Sequence, residues 1–408
     1  MSIVKTQPSE TSGDINDRWS PVIAVALSTF TVVSSEMMPV GLLTPIADTL
    51  SVSEGTTGLS LTITGIIAAI VSPFVPALIG LHDRKSVLVT FMLLLALANA
   101  LTAIAPSFLL LASARIFLGI SMGVVWGLAA GLGPRLAPSA RVPFATTLIF
   151  SGVSIASVLG VPLGTYIAMA LDWRAAFWAL ALLGVIAAAA LTIALPALPA
   201  HQTSGVAGTA GVLRNRGVAA GMVITALVVV GHFAGYTYAR PVLEVDAGMS
   251  AGLVVVCLLI YGLAGVVGNF TLGPFAGRCT KAATVAALAG VALATFVLPF
   301  ATASTVAVLV VLIVWGVSYG GVSVSTQTWI GKADPARVEA SAALWAGVFN
   351  ASIALGAFAG GLVIDCAGTG AVMLSASLIT LVGLIVAVMS RPQPEASPKM
   401  NAEPRTRV

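Results

Sequence analysis

Long apolar runs recur along almost the whole chain, each parted from the next by a short polar break. They predict twelve helical spans, at about 20–43, 57–79, 86–104, 108–131, 144–170, 175–195, 218–239, 251–275, 283–301, 304–329, 338–364 and 370–390. Each has the ~18 or more residues needed to cross ~30 Å of hydrocarbon. Helices follow because a segment in lipid must satisfy its own backbone hydrogen bonds. A closed β-barrel would show alternating segments of about ten residues instead. The long internal break, from Leu195 to Gly217, holds Pro196, Pro199, His201, Ser204, Gly205, Arg214 and Arg216, and reads as a flexible linker. The expected organisation is a polar tail over 1–19, a six-helix bundle over 20–195, a linker over 196–217, a second bundle over 218–390 and a tail over 391–408. The first apolar run is too long for the core of a signal peptide.

Lysine and arginine positions set the expected orientation. With both termini on one side, that side collects Lys5, Arg18, Arg84, Lys85, Arg135, Arg141, Arg214, Arg216, Arg278, Lys281, Lys332, Arg337, Arg391, Lys399, Arg405 and Arg407, which is 16 of the 19 basic residues. Arg174 and Arg240 fall on the other side, both beside span ends. Basic residues stay in the cytoplasm, so both termini are expected there, in a multi-pass protein of the cytoplasmic (inner) membrane. The two halves also echo each other. Val125-Trp126-Gly127 in the fourth span returns as Val314-Trp315-Gly316 in the tenth, and Ser154-Ile155-Ala156 in the fifth as Ser352-Ile353-Ala354 in the eleventh. Two pseudo-symmetric six-helix bundles would place a substrate site between the halves, near the bilayer midplane.

Composition narrows the class. The chain is 58% hydrophobic and only 8% charged, against roughly 25% charged in soluble domains. Its 41 glycines suit closely packed membrane helices. The net charge of +4 is scattered over short loops, so it reports topology and no nucleic-acid partner. Cys257, Cys279 and Cys366 form no CxxC pair and no metal spacing. There is no phosphate loop, no HExxH and no GxSxG, which argues against an ATP-driven pump and against a membrane-embedded enzyme. No cofactor or metal is expected. Both tails are short, unlike those of a receptor or scaffold with a soluble domain.

A few polar residues lie at membrane depth. Glu36 sits within the first span, between Ser34-Ser35 and Met37-Met38-Pro39. A charge there costs roughly 2.5–3.5 kcal/mol on insertion scales, so it needs a partner, a water-filled cavity or a proton. Low dielectric favours the protonated form of any carboxylate, and such a group can load and release protons. The alternatives for Glu36 are a helix-capping carboxylate or one near the outer interface. Arg115 lies well inside the fourth span; it either faces the cavity and couples to a carboxylate or substrate, or snorkels to an interface. Gly119, Gly123, Gly127 and Gly131, spaced four apart, form a flat packing stripe. His232 in the seventh span, followed by Tyr236, Tyr238 and Arg240, can bind substrate or titrate, or simply pack. Asn99, Asn269, Gln327 and Asn350 are interhelical glue singly and a polar cavity as a set. Trp126, Trp315, Trp329 and Trp345 can stack on a planar ring or face lipid. Pro73 and Pro76, and Gly160-Val161-Pro162-Leu163-Gly164, are expected to bend their helices.

With these residues in view, the chain resembles the major facilitator superfamily, in its twelve-span drug:proton antiporter branch, from about Trp19 to Ser390. Asp83-Arg84-Lys85, between spans two and three, is similar to the family's gating motif, although the glycine that usually follows Asp-Arg is missing. Arg115 with Gly119 and Gly123 resembles the fourth-span motif linked to proton coupling; Leu118 stands where the family often has glutamine. Gly160, Pro162 and Gly164 resemble the antiporter motif of span five, and Trp173-Arg174-Ala175-Ala176-Phe177 also fits. Within the branch, Glu36-Met37-Met38-Pro39-Val40 with Leu42-Leu43-Thr44-Pro45, and Ser53-Glu54-Gly55, are similar to sugar-efflux and purine ribonucleoside efflux transporters. The shortened Asp83-Arg84-Lys85, Gly217-Val218-Ala219-Ala220-Gly221-Met222 and Thr237-Tyr238-Ala239-Arg240-Pro241-Val242 look more like the nucleoside exporters.

The resemblance implies an all-α major facilitator fold and a proton-coupled antiporter that exports a small solute by alternating access. Purine ribonucleosides or analogues are the expected substrates; a sugar of the arabinose kind or a range of drugs is the alternative. Glu36, Arg115 and His232 are the candidates for proton coupling. Glu36, Trp126, His232, Tyr236, Tyr238, Gln327 and Asn350 are the candidates for substrate contact. Asp83, Arg84, Gly160, Pro162 and Gly164 are the candidates for gating. The expected partners are substrate, protons and membrane lipid, with the chain working as a monomer.

Overall fold

A computed structural model describes residues 19–79, 82–129, 132–137, 141–199 and 212–391. The expected tails beyond them, residues 200–211 of the expected linker, and Gly131 lie outside the described residues, as do the side chains of Pro73 and Pro76. The spans are α1 (Ser20–Leu50), α2 (Glu54–Ile79), α3 (Arg84–Ala103), α4 (Phe108–Ala129), α5 (Val142–Ala170), α6 (Trp173–Ala194), α7 (Arg216–Tyr236), α8 (Ala251–Arg278) and α9 (Thr280–Ala301). Next comes α10 (Thr305–Ala333), whose two segments meet at Gly321. The last helical run, Val338–Met389, has 52 residues. At 1.5 Å per residue it would measure about 78 Å, more than twice the hydrocarbon thickness. It breaks at Gly368, where φ is 83° and ψ is −178°, a conformation open to glycine and closed to bulkier residues. The break yields α11 (338–367) and α12 (369–389), so that twelve apolar spans lie among the described residues.

The halves repeat their packing. In the first, α1 packs on α5 and α6, α2 on α4, and α3 on α6. In the second, α7 packs between α11 and α12, α8 on α10, and α9 on α12. The glycine stripe works as expected: Gly119, Gly123 and Gly127 each lie against α2, at Ile67, Val71 and Val75. Gly316 and Gly320 repeat the device against Tyr261, Ala264 and Gly265 of α8. A side chain at these positions would collide with the facing helix, so small residues set the helix separation. The most extensive contacts between the bundles are α2 on α11 and α5 on α8.

Two of the differences from the expected span ends have a visible cause. The first helix runs to Leu50, past Pro39 and Pro45, about two turns beyond the predicted end. Proline removes an N–H and tends to break a helix, yet neighbouring helices here satisfy the freed carbonyls. The third helix begins at Arg84 rather than 86, because the Asp83 side chain caps it by accepting from the backbone N–H groups of Lys85 (2.7 Å) and Ser86 (3.4 Å).

Candidate functional site

Prolines build one wall of the site. Pro39 cannot donate to the Ser35 carbonyl, nor Pro45 to the Gly41 carbonyl, four residues earlier in each case. Both oxygens are captured by buried arginines. Ser35 O accepts from Arg115 Nη1 at 3.0 Å, and Gly41 O accepts from Arg240 Nη1 across the bundle interface and from Thr165 Oγ1 of α5 at 3.1 Å. Around α1, Ser34, Met38 and Gly41 face α5, meeting Gly160, Gly164 and Thr165. Ser35 faces the other way, and its hydroxyl accepts from Asn99 Nδ2 at 2.9 Å. The intervening turn of 100° per residue aims Glu36 at neither neighbour. Glu36 is 4% exposed, and its Oε1 has no hydrogen-bond partner among the described residues.

Arg115 is fully buried, so it does not snorkel to an interface. Its guanidinium sits over the Phe177 ring at 4.9 Å, and its Nε and Nη2 are unpartnered. It makes no ion pair among the described residues. The arginine is thus held behind α1, touching the carbonyl just before Glu36 and not the face Glu36 occupies.

The opposing wall belongs to the second bundle. His232 is 1% exposed and stands inside an aromatic cluster. Tyr319 lies parallel to its ring, Tyr236 stacks at 5.1 Å, and Trp315 and Phe233 present edges at 5.6 and 4.9 Å. Trp315 Nε1 donates to His232 Nδ1 at 3.1 Å. An indole can only donate, so Nδ1 is the bare nitrogen and the neutral ring carries its proton on Nε2. That nitrogen lies 3.4 Å from the Tyr261 hydroxyl. Tyr236 stacks on Tyr261 as well, at 4.8 Å. Tyr319 Oη is buried without a partner.

The remaining candidates fall elsewhere. Tyr238 is fully buried at the end of the molecule opposite the termini. Its hydroxyl donates to Ala357 O of α11 at 2.8 Å, and its ring fills a notch left by Gly58, Gly360 and Gly361. Nearby, Asp365 accepts from the Gly55 N–H at 3.0 Å and from the Ser53 hydroxyl at 2.7 Å, and Arg240 pairs with Glu244 at 2.8 Å. The Asp365 bonds and the fit of Tyr238 against Gly58 clasp the bundles together at that end. Trp126 lies near the termini end, stacked on Phe150 at 6.0 Å, with its Nε1 unpartnered. Asn350 donates to its own helix, at Ala346 O, and Gln327 is exposed. Asp83 also accepts from the Leu198 N–H at 2.9 Å, and Arg84 donates through its backbone N–H to Leu198 O and through Nη1 to His82 O. The motif therefore ties the α2–α3 turn to the end of α6. Gly160, Pro162 and Gly164 are buried, the glycines against α1.

His232 and Tyr236 are thus brought together and Glu36 is buried on α1, while Trp126, Tyr238, Gln327 and Asn350 lie outside the aromatic cluster. Sequence reasoning missed Tyr261 and Tyr319 as members of the cluster, and left Trp315 open between stacking on a ring and facing lipid. It also missed Arg240 as a bundle-joining group. For Arg240 a signal existed: two prolines six residues apart announce two free carbonyls on α1.

The profile of the major facilitator superfamily matches residues 25–343. The chain belongs to that superfamily. As a major facilitator protein it is a multi-pass membrane transporter of small molecules, not an enzyme. It is 34% identical over 369 residues to proteins named purine ribonucleoside efflux pump NepI, from Shigella sonnei and from Escherichia coli K12, covering 90% of this chain and 93% of those. Two solved structures share the major facilitator fold. A bacterial homolog of the human lysosomal transporter Spinster, inward-facing and unoccupied, superposes with a TM-score of 0.71 at 14% identity over 91% of this chain and 96% of that one. A point mutant of the nucleoside transporter NupG gives 0.72 at 13% identity, over 91% of this chain and 98% of that one.

Proposed function

We propose that this protein is a proton-coupled antiporter that exports purine ribonucleosides or their analogues by alternating access. The observation that carries the proposal is Glu36: a buried carboxylate with an unpartnered oxygen in the first bundle, while the second bundle buries an aromatic cluster around His232. A carboxylate kept at such cost is suited to exchanging protons or binding hydroxyls. Aromatic rings offer a sequence-tolerant surface on which a planar base stacks. The scarcity of fixed charge around them suits a neutral solute. The relatives named as purine ribonucleoside efflux pumps support the choice of solute.

The basic residues support an orientation with both termini in the cytoplasm of the inner membrane. The Tyr238, Arg240 and Asp365 contacts then form the outer seal, and substrate enters from the cytoplasm. The rocking bundles bend at the Gly160, Pro162 and Gly164 segment and at the Asp83–Arg84 turn, and one chain suffices for the cycle. Uptake into inverted membrane vesicles, with and without a proton gradient, tests the whole reading against nucleosides, sugars and drugs. Gradient-driven uptake of purine ribonucleosides is expected. Uptake of arabinose or of drugs alone transfers the substrate to another branch, and uptake indifferent to the gradient removes proton coupling. Reporter fusions after Val408 and in the 200–217 segment test the orientation, and an external signal from either reverses it.

A further inference from the structure

Asp365 stands at the wrong end of its own helix. It lies in the last turn of α11, three residues before the break at Gly368. The free carbonyls at a helix C-terminus carry partial negative charge, and a carboxylate beside them is repelled. Both of its oxygens are taken up by the first bundle instead. Ser53 precedes α2 and caps it, its Oγ accepting from the Thr56 N–H at 3.0 Å. The same hydroxyl donates to Asp365 Oδ2 at 2.7 Å, and the Gly55 N–H donates to Oδ1 at 3.0 Å. The carboxylate thus meets the positive end of α2, where a negative charge is favoured. A methyl group at Gly55 would overlap both the carboxylate and the Gly361 carbonyl of α11, so the glycine admits the approach. Two turns further in, the buried Thr62 hydroxyl donates to Ala354 O of α11 at 3.2 Å.

We infer that Asp365 is a latch of the outer seal that works by capping α2 in trans, one bundle completing the N-terminus of a helix in the other. The cap exists only while α2 lies on α11. When the halves part, the Gly55 N–H and the carboxylate both pass to water, and Asp365 is left at the unfavourable end of α11. The latch therefore stabilises the sealed state and does nothing for the open one, which is what shifts a two-state balance. The Ser53-Glu54-Gly55 segment gains a task as the receiving half of the latch. This inference rests on the transport reading and the outer seal proposed above, and it gives that seal its mechanism.

The test reads the opening at Thr62 in sealed vesicles. Cys366 is exposed at this end, Cys257 is buried, and Cys279 lies between α8 and α9 at the termini end. With Cys366→Ser and Thr62→Cys in place, a membrane-impermeant maleimide reaches position 62 only when α2 leaves α11. Asp365→Ala is expected to raise the labelling rate from the face opposite the termini about 3- to 10-fold, the worth of a helix cap. Asp365→Asn should raise it less, since the amide oxygen still accepts from one donor. Ser53→Ala should raise it about 2-fold while Asp365 is present and not at all once Asp365→Ala is made, because the two share one bond. Asp365 is exposed, so its loss leaves no cavity, and thermal unfolding verifies that each variant is folded. An unchanged rate in Asp365→Ala, or an effect of Ser53→Ala that ignores Asp365, overturns the latch and leaves the transport reading intact. Labelling only from the face that bears the termini overturns the seal itself and the latch with it.

Discussion

The two bundles share a backbone plan and differ in chemistry. Trp126 in α4 and Trp315 in α10 occupy matching places, each followed by a glycine that packs on the span two before it. In the second bundle the indole is fully buried and donates to His232. In the first it stacks on Phe150 with its nitrogen unpartnered. The first bundle instead buries Glu36 and Arg115 well inside its spans, whereas the second bundle's buried charges, Arg240 and Asp334, lie just past span ends. Duplicated packing therefore leaves side-chain chemistry free to diverge: one half buries a carboxylate and a guanidinium within its spans, the other a stack of rings.

The sharpest way to break that division is Glu36→Gln, which keeps shape but cannot titrate. Proton-driven accumulation should vanish, while exchange of labelled for unlabelled substrate continues, since exchange needs no net proton movement. Reconstituted vesicles with an imposed gradient measure both. Undiminished accumulation would remove Glu36 as the proton site and turn attention to His232.

A smaller loss is expected at Arg115. Arg115→Ala should lower gradient-driven transport by about tenfold or more, because it withdraws a charge and the bond to Ser35 O next to Glu36. Arg115→Lys keeps the charge but not the planar fork, and should retain more transport than the alanine variant. Equal, full transport by both would reduce Arg115 to packing.

The smallest effect separates the two tryptophans. Trp315→Phe strands His232 Nδ1, a buried acceptor, and should destabilise by about 1–3 kcal/mol. Trp126→Phe removes an N–H that has no partner, and should cost less than about 1 kcal/mol. Thermal unfolding of the purified variants side by side reads the difference. Equal shifts would mean that the indoles act alike after all.

The spans and the glycine stripe were legible because hydropathy over ~20 residues and spacing of four are local properties of the chain. Glu36 was legible because a carboxylate at membrane depth is rare. The aromatic cluster was not. In a soluble helix the polar face tells which way a side chain points, but a membrane helix is apolar all round, and Tyr261, Trp315 and Tyr319 could each have faced lipid. The same ambiguity left Gln327 a candidate for the cavity, although it is exposed. Arg115 was placed at depth correctly, but its side was set by the carbonyl that Pro39 frees, a long-range capture that spacing alone does not reveal.

The notch around Tyr238 is made of missing side chains. Gly58 comes from the first bundle, Gly360 and Gly361 from the second, and a methyl group at Gly58 would overlap the tyrosine hydroxyl. Such a methyl would raise the energy of the sealed arrangement, while an arrangement in which α2 has drawn away from α7 would accommodate it. The balance between the two states would shift by whatever the overlap costs. Gly58→Ala should therefore leave the far mouth ajar for more of each cycle, seen as faster labelling of a cysteine placed beside Asp365. Turnover would then be limited by how rarely the mouth shuts, through a glycine that lies in neither the Glu36 segment nor the aromatic cluster.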